Sequence, residues 1–200
     1  MPASAAEHNP LIRHLDKGKL FYCAGQYGHA WQVLNGAIRL NTYESEEPSF
    51  AGLAVAGDVI GAETLLHGHY DFEASALSFC LVKPWYPQNE HELLSMCAAA
   101  AQRTATLLAL RSGSAEERVH RLIDLLARGQ GPYADTASIC LPSLRNIGEI
   151  TGLTFETVSR VFSRWRSLGY TVASRTQGGL RLAWPIHPAA VAATQQRNAS

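Results

Sequence analysis

A chain of 200 residues with 46% hydrophobic content can bury a core in one or two domains. No apolar run approaches the roughly 18 residues of a membrane-spanning helix, and no signal-peptide pattern begins the chain, so we expect a cytoplasmic protein without a membrane partner. The net charge of zero hides an asymmetry, because residues 1–100 carry five Lys and Arg against eleven Asp and Glu, whereas residues 101–200 carry twelve Arg against six acidic residues.

Residues 1–86 are predicted to form an antiparallel β-barrel of the jelly-roll type, after a loose, Ala-rich lead over residues 1–9. Short apolar runs alternate with turn residues such as Asn35-Gly36 and Gly57-Asp58. The predicted strands are Leu20 to Cys23, Trp31 to Leu34, Ala37 to Tyr43, Phe50 to Val55 and Ala74 to Val82.

Residues 87–113 are predicted to form a long helix from about Asn89 to Arg111, because the apolar period changes from two to about three and a half after Pro87. One stripe of this helix consists of Leu94, Cys97, Ala101, Thr104 and Leu108. Such a stripe can pack on a second helix. The alternative is a helix that packs on its own barrel.

Residues 114–185 are predicted to form a second, Arg-rich domain, which is the candidate nucleic-acid-binding half because Arg suits phosphate and base contacts. The alternative is an ordinary solvated surface. The predicted elements are a helix from Ala115 to Arg128, a loop from Gly129 to Ser138, two helices within Ser143 to Leu168, and a hairpin of Thr171 to Ser174 and Leu180 to Ala183. The hairpin fits the wing of a winged helix. Residues 186–200 are predicted to be a disordered tail.

The stretch from Ser143 to Leu168 has the pattern of a helix-turn-helix. Ser143 and Thr154 are suitable N-caps, and small Gly148 and turn residue Gly152 allow the two helices to cross closely. The predicted inward stripe of the second helix is Val158, Val161, Phe162, Trp165 and Leu168. The pattern therefore predicts a DNA-reading unit.

The polar face of the second helix carries Glu156, Ser159 and Arg160 near the helix N-terminus, the end that enters the major groove. Arg can donate two hydrogen bonds to guanine, and a carboxylate can accept one from cytosine N4, so this face suits neighbouring G·C pairs. The alternative is that Glu156 and Arg160 form an ordinary surface ion pair one helical turn apart.

The run Phe155-Glu156-Thr157-Val158-Ser159-Arg160 resembles the E-T-V-S-R recognition helix of the Crp/Fnr family of bacterial transcription regulators. The stretches 33–40 and 57–61 resemble the two glycine-marked strand turns of the family's cyclic-nucleotide-binding-type domain, so the resemblance covers nearly the whole chain. It implies an α+β fold: a cyclic-nucleotide-binding-like β-barrel, a dimerisation helix and a winged helix-turn-helix.

The resemblance also implies roles for individual side chains. Glu156, Ser159 and Arg160 would be the base-reading residues, and Ser159 places the helix nearer the fumarate-nitrate branch, which implies a TTGAT-type half-site. Phosphate contacts are expected from Thr154, Thr157, Arg145, Arg164 and, in the wing, Arg175. Asn146 departs from the family, which usually has an acidic residue there. The implied partners are double-stranded DNA, a second copy of the chain and, for an activator, RNA polymerase.

The ligand positions of the barrel argue against cyclic AMP. Nucleotide-binding members place Glu directly after the GDxxG stretch and Arg-Ser or Arg-Thr ten residues later, whereas this chain has Ala62 and Phe72-Glu73. A buried phosphate without its cation and facing a carboxylate is strongly disfavoured.

Other sensor chemistries have weaker sequence support. The four cysteines are scattered, without the N-terminal cluster of an iron-sulfur protein, so no such cluster is expected. His67-Gly68-His69 would suit a haem or a metal, but a solvent-exposed polar loop is the favoured interpretation, and no metal site is predicted. Cys97 and Cys140 are candidate redox residues, with buried inert thiols as the alternative.

The sequence thus predicts a homodimeric, DNA-binding transcription regulator whose N-terminal domain receives an unidentified signal. The second hypothesis is a small-molecule-binding module whose helix-turn-helix contacts protein rather than DNA. No nucleophile-base set or phosphate loop is visible, so enzymatic activity is not expected.

Overall fold

Two antiparallel four-stranded sheets form the N-terminal half of the protein. The computed structural model describes residues 12–43, 47–130 and 139–168 and the backbone of residues 172–176 and 179–182. The strands are β1 Arg13–Leu15, β2 Leu20–Tyr22, β3 Trp31–Asn35, β4 Ala37–Thr42, β5 Ser49–Val55, β6 Val59–Ile60, β7 Glu73–Ala76 and β8 Cys80–Pro84. Their order is β1-β8-β3-β6 in one sheet and β2-β7-β4-β5 in the other. This confirms the predicted jelly-roll barrel.

The single strand predicted from Ala74 to Val82 was wrong, because the chain changes sheets in its middle. β7 pairs with β4, whereas β8 pairs with β3 in the opposite sheet. At the crossing, the Leu77 amide donates to the carbonyl of Ala37 (2.8 Å) and the Ala37 amide donates to Ser78 Oγ (3.0 Å). Gly36 sits beside this crossing with φ at +89°, and a Cβ there would collide with the Phe79 carbonyl, so the hairpin requires glycine.

Helix α1, Thr64–His67, lies between β6 and β7, and helix α2, Glu90–Ala109, follows the barrel. Asn89 caps α2 by accepting a hydrogen bond from the Glu92 amide (2.9 Å). The prediction for α2 was therefore accurate at its start and two residues too long at its end. None of the 20 residues of α2 is buried.

The C-terminal half contains α3 Ala115–Arg128, β9 Ile139–Cys140, α4 Leu144–Thr151, α5 Phe155–Ser167, β10 Val172–Thr176 and β11 Gly179–Leu182. Ser114 and Glu117 form a reciprocal capping box at the start of α3. Strands β10, β11 and β9 form an antiparallel sheet in that order. The predicted loop over 131–138, the hairpin turn at 177–178, the lead over 1–9 and the tail over 186–200 lie outside the described residues.

Two clusters of buried side chains hold the molecule together. One fills the barrel and includes Tyr22, Trp31 and Tyr70. The other joins Ala37 and Leu53 of the barrel to the apolar faces of α3, α4 and α5, so the two halves share one core. Within the described part of the chain, no helix combines the length and apolarity that a bilayer crossing requires.

Candidate nucleic-acid interface

The turn between α4 and α5 is closely packed because Gly152 begins it and Gly148, within α4, lies against it. Gly152 ends α4 in the left-handed conformation (φ +67°), and its amide donates to the carbonyl of Gly148. The Leu153 amide donates to the same carbonyl (2.8 Å). A Cβ on Gly148 would lie 2.6 Å from the Leu153 carbonyl oxygen, so no larger residue fits without a shift. Ser143 caps α4 by accepting from the Asn146 amide (3.1 Å).

The apolar stripe of α5 faces the shared core, as the periodicity predicts. Val158, Val161, Phe162 and Trp165 are all buried. Leu168 was wrongly included in this stripe, since it is 54% exposed. It is the C-cap residue, where the backbone has left the helical conformation and no longer points the side chain into the core.

The opposite face of α5 is polar and accessible. Glu156 and Arg160 are exposed, and Ser159 between them is half-buried. Arg160 Nη2 donates to Thr157 Oγ1 (3.2 Å), and Thr157 Oγ1 lies 3.1 Å from Thr154 Oγ1. Thr154 also caps the helix by accepting from the Thr157 amide (3.3 Å). A continuous polar chain therefore runs from the cap to the guanidinium.

Glu156 is held as a carboxylate at the N-terminus of α5. Its own backbone amide, the Thr154 hydroxyl and the charge of Arg160 lower the pKa of this carboxyl below its usual value. An ionised carboxylate is the form that accepts a hydrogen bond from a base amino group. The guanidinium of Arg160 bonds Thr157, so it is steadied by the helix cap instead of being committed to the carboxylate.

Two of the arginines predicted to contact phosphate are paired with acidic residues. Arg145 is 83% exposed at its side chain and lies 3.1 Å from Glu149 on the same helix. Arg164 lies 3.4 Å from Glu116 of α3, and Glu116 also accepts from Trp165 Nε1 (2.9 Å). Arg175 belongs to β10, whose side chains lie outside the described part of the structure.

Asn146, the departure from the family pattern, contacts the barrel. Arg39 of β4 donates through Nη1 to Asn146 Oδ1 (2.8 Å) and to the carboxylate of Glu149. Arg39 Nε donates to Asn41 Oδ1 (2.6 Å), which fixes the guanidinium against its strand. The first helix of the helix-turn-helix is thus attached to the barrel, a contact that the sequence pattern does not indicate.

A second arginine extends this junction. Arg111, just beyond α2, donates to the backbone carbonyls of Glu149 (3.2 Å) and Ile150 (3.4 Å) at the C-terminal end of α4. A cation at the C-terminus of a helix interacts favourably with the helix dipole. The guanidinium carbons of Arg39 and Arg111 both lie 5.6 Å from the ring centroid of Phe50.

At the positions expected to contact a cyclic nucleotide in nucleotide-binding members of the Crp/Fnr family, this chain makes hydrogen bonds within the barrel. Glu73 Oε1 accepts from Asn41 Nδ2 (3.0 Å), and Oε2 accepts from the Tyr43 hydroxyl (2.6 Å). The bond to Glu73 raises the pKa of Tyr43. Ala62 offers no polar group to a ribose, and Phe72 is half-buried. The carboxylate therefore takes part in a hydrogen-bonded network and presents a negative charge to any phosphate placed there.

Aromatic side chains fill the barrel interior. The rings of Tyr22 and Tyr70 stack with centroids 3.6 Å apart and an angle of 8°. Tyr70 Oη accepts from Trp31 Nε1 (3.0 Å) and donates to the carbonyl of His29 (3.0 Å). Gly28 and Gly61 leave space for the Tyr70 ring, since a Cβ at either would overlap it. Burial raises the pKa of Tyr22, so this tyrosine is neutral.

The four cysteines occupy different environments. Cys97 is exposed on the predicted dimer stripe, and Cys23 is exposed beside the barrel. Cys80 is buried, and burial raises the pKa of its thiol to about 11. Cys140 is half-buried, with Lys17 Nζ 3.7 Å from its sulfur.

Known transcription regulators are similar to this chain in sequence, although no protein-family profile matches it. The transcriptional activator protein anr of Pseudomonas aeruginosa is 27% identical over 173 residues, covering 78% of this chain and 71% of the relative. The fumarate and nitrate reduction regulatory protein of Escherichia coli K12 is 24% identical over 171 residues, covering 78% and 68%.

Solved structures share the whole fold. The CRP-family regulator TTHB099 of Thermus thermophilus superposes with a TM-score of 0.67 at 19% identity, covering 94% of this chain and 97% of the other. FixK2 of Bradyrhizobium japonicum superposes with a TM-score of 0.65 at 23% identity, covering 88% and 92%.

Fold and site together define a protein that couples a cyclic-nucleotide-binding-like barrel to a helix-turn-helix. The chain is similar to transcription regulators of the Crp/Fnr family, in sequence to the named relatives and in fold to the structural neighbours. The named relatives are transcription regulators and not enzymes. The similarity to the fumarate-nitrate regulators agrees with the branch that Ser159 indicates.

Proposed function

We propose that the chain acts in the cytoplasm as a homodimer that binds a TTGAT-type palindrome in double-stranded DNA, under the control of a signal received by the barrel. The observation that carries this proposal is the accessible polar face of α5, where Glu156, Ser159 and Arg160 lie above a buried apolar stripe. The relatives named as transcriptional activators support it. RNA polymerase is the expected further partner if the chain activates transcription.

The side chains on this face suit the reading of G·C pairs. An arginine that donates two bonds to guanine O6 and N7 discriminates by about 1–3 kcal/mol against the wrong base. The bond from Arg160 to Thr157 steadies the guanidinium near the helix N-terminus, which reduces the entropy lost when DNA binds. Glu156, held ionised, can accept from a cytosine N4 amino group.

Phosphate contacts are expected around this face from Thr154 and Thr157 and from the arginines at 145, 164 and 175. Arg145 and Arg164 are paired with carboxylates in the free protein. Both pairs are solvent-exposed, so each is worth about 1 kcal/mol or less and can be exchanged for a phosphate at low cost. The number of phosphates contacted sets the salt dependence of binding.

The long helix α2 supports a two-fold dimer. The predicted stripe of Leu94, Cys97, Ala101, Thr104 and Leu108 is exposed along its whole length, and Leu94 and Leu108 are 67% and 66% exposed. A helix of this length with no buried residue gains stability by packing on a second copy. A two-fold axis along α2 would place the two α5 helices one DNA turn apart.

Oxidation of the two candidate redox cysteines would affect two different parts of the protein. Cys97 lies within the dimer stripe, where oxidation would add a polar group to an apolar face. Cys140 immediately precedes the helix-turn-helix and lies beside Lys17, which donates to the carbonyl of Leu141 (2.8 Å). Modification there would disturb a contact between the barrel and the DNA-binding half.

The test is fluorescence anisotropy of the reduced full chain with a labelled TTGAT-type palindrome and with the same duplex in which the G·C pairs are changed, at one stated salt concentration. Arg160→Ala should weaken binding to the palindrome by roughly 5- to 150-fold, equivalent to about 1–3 kcal/mol, and abolish the preference for G. Arg160→Lys keeps the charge but lacks the planar pair of N–H donors of a guanidinium. It should lose the preference for G with a smaller loss of DNA affinity than Arg160→Ala.

Arg166→Ala is the matched control, because Arg166 is exposed on the same helix but lies near its C-terminal end, away from the N-terminal turns that carry the base-reading residues. It should reduce affinity equally for both duplexes or not at all. An unchanged preference for G in the Arg160→Ala variant would refute the assignment of Arg160. Equal, tight binding of the wild type to both duplexes would refute the half-site.

A further inference from the structure

Helix α1 and the segment after it bring two histidines and an aspartate together on the barrel. Gly68 ends α1 in the left-handed conformation (φ +84°), so the chain reverses between His67 and His69. Their rings lie side by side with centroids 4.1 Å apart, and Asp71 faces both. Asp71 reaches both histidines because the chain turns at Gly68.

The donor atoms of the three side chains lie close to the spacing that a small metal ion requires. His67 Nε2 lies 3.5 Å from Asp71 Oδ2, and His69 Nδ1 lies 3.8 Å from Asp71 Oδ1. One donor atom from each residue falls within 4.8 Å of the others. Ligands of a tetrahedral ion at about 2.0–2.1 Å lie roughly 3.3–3.5 Å from each other, so the most distant donors must approach each other by up to about 1.5 Å when the ion binds.

His69 contributes its Nδ1 nitrogen to the cluster. Its Nδ1 is shielded from solvent and has no hydrogen-bond partner among the described residues. The aspartate oxygen at 3.8 Å is beyond hydrogen-bonding distance. A buried nitrogen without a partner is unfavourable, and a metal ion placed between it and the carboxylate would satisfy both groups.

The backbone around the cluster is held in place by the barrel. Tyr27 pairs with His69 as an isolated β-bridge, and the Gly28 amide donates to the carbonyl of Gly68 (3.0 Å). Tyr70, between the second histidine and the aspartate, is anchored in the aromatic core. Ligands whose backbone is fixed before binding lose little entropy when the ion enters.

We propose that His67, His69 and Asp71 form a binding site for a divalent transition-metal ion of the zinc class. Two imidazoles and one carboxylate match the ligand preference of zinc, whereas calcium and magnesium favour sites made of oxygen alone. The three side chains are 38%, 42% and 46% exposed, so an ion could enter from solvent, and a water would complete a four-coordinate site. Glu63 accepts from the Asp71 amide (3.3 Å) and adds a second negative charge beside the site.

The site lies between Ala62 and Phe72, in the segment where nucleotide-binding relatives hold their ligand. An ion bound there would tie the end of α1 to the start of the segment that leads into β7. A role for the ion in controlling DNA binding rests on the proposed function. Binding of the metal ion does not rest on the proposed function, and it can be measured without DNA.

The experiment is a titration of the reduced full chain with Co²⁺, followed by visible absorption, and with Zn²⁺ in competition with a chromophoric chelator. We expect one ion per chain and a cobalt spectrum of nitrogen and oxygen ligands. His69→Ala and Asp71→Asn should each weaken zinc binding by at least about tenfold. His67→Gln is a third, independent variant, and circular dichroism confirms that each variant is folded.

His91→Ala is the matched control, since His91 is exposed on α2 and should leave zinc affinity unchanged. Equal affinity in the wild type and the His69→Ala and Asp71→Asn variants would overturn the proposal. An intense near-ultraviolet sulfur-to-cobalt band would also overturn it, because the ion would then be bound by cysteine. Failure of DNA binding with normal zinc binding would refute the proposed function and leave this site standing.

Discussion

Arg39 and Glu149 join the N-terminal barrel to the first helix of the helix-turn-helix through a nearly buried ion pair. The Arg39 side chain is only 9% exposed, whereas the Glu149 side chain is 35% exposed. Asn41 and Asn146 accept the remaining bonds of the guanidinium, and Phe50 lies below it. The position of α4 relative to the barrel is therefore set by directional bonds in addition to apolar packing.

Arg39→Ala should destabilise the protein because it removes a buried cation, leaves the side-chain oxygens of Asn41 and Asn146 without that donor, and leaves Glu149 paired with Arg145 alone. We expect the free energy of unfolding to fall by about 2 kcal/mol, measured by urea denaturation. Affinity for the palindrome should change as well, because α4 would no longer be tied to the barrel. The measurement requires wild type and variant at the same protein concentration.

Arg145→Ala is the matched control, because Arg145 bonds the same carboxylate from an exposed position. Its loss should cost less than about 0.5 kcal/mol. Equal destabilisation by the two substitutions would show that burial of Arg39 has no part in the strength of the junction.

The exposed stripe of α2 predicts a dimer that a single charge can disrupt. Leu94→Glu would place a carboxylate at the face expected to meet its counterpart, and burying unpaired charge is costly. We expect the wild type to sediment as a dimer and the variant as a monomer at micromolar concentration. The fold of the monomer should be intact, since Leu94 is 67% exposed.

Leu66→Glu is the control for this experiment, because Leu66 is 87% exposed on α1 and outside the stripe. The control should remain a dimer. A monomeric wild type, or a dimeric Leu94→Glu variant, would contradict the assignment of α2 as the dimer interface.

Elements with local signals were predictable from the sequence. The predicted helix Ala115 to Arg128 matches α3 at both ends, because a capping Ser114 precedes a strong period of 3.6 residues and Gly129 follows it. The helix-turn-helix was predicted for the same reason, with Gly148 and Gly152 marking the turn. In each case the residues that define the element are close together in the sequence.

Features that depend on distant pairing, on an irregular local backbone or on very short strands were not predictable from the sequence. Arg39 lies 110 residues before Glu149, and nothing in a β-strand arginine indicates which carboxylate it will bond. Asp71 was not recognised beside the two histidines because its place in the cluster depends on the left-handed turn at Gly68. Strands of two or three residues, such as β1 and β6, are too short to show a period.

Gly148→Ala tests the close crossing of α4 and α5. In an isolated helix the substitution would be favourable by about 1 kcal/mol. Here the new Cβ would lie 2.6 Å from the Leu153 carbonyl oxygen, and forced overpacking costs about 1–3 kcal/mol. We therefore expect a net loss of stability in urea denaturation and weaker DNA binding, since α5 must shift.

Gly52→Ala provides the comparison, because a Cβ there would make an ordinary contact of 3.4 Å with the Leu40 side chain. It should change stability little. A stabilised Gly148→Ala variant would mean that the turn tolerates a side chain and that helix propensity dominates at this position.

The capping box of α3 predicts a specific dependence on acid. The Ser114 amide and then the Ser114 hydroxyl lower the pKa of Glu117 below 4.5, because both donate to the ionised carboxylate. A carboxyl whose pKa is lowered by folding contributes stability above its unfolded pKa, and this contribution is lost as the pH falls through the folded value. The wild type should therefore be more stable than Glu117→Gln at neutral pH, and the difference should shrink as the pH falls below about 4.5.

Urea denaturation of both proteins between neutral pH and mild acid measures this difference directly. Subtracting one curve from the other cancels the carboxyl groups that the two proteins share, so the remaining slope belongs to residue 117. Repeating the comparison in a Ser114→Ala background should reduce the slope without abolishing it, because the backbone amide at 114 remains a donor. A difference that stays constant with pH would mean that Glu117 stabilises α3 through its bulk or helix propensity and not through its charge.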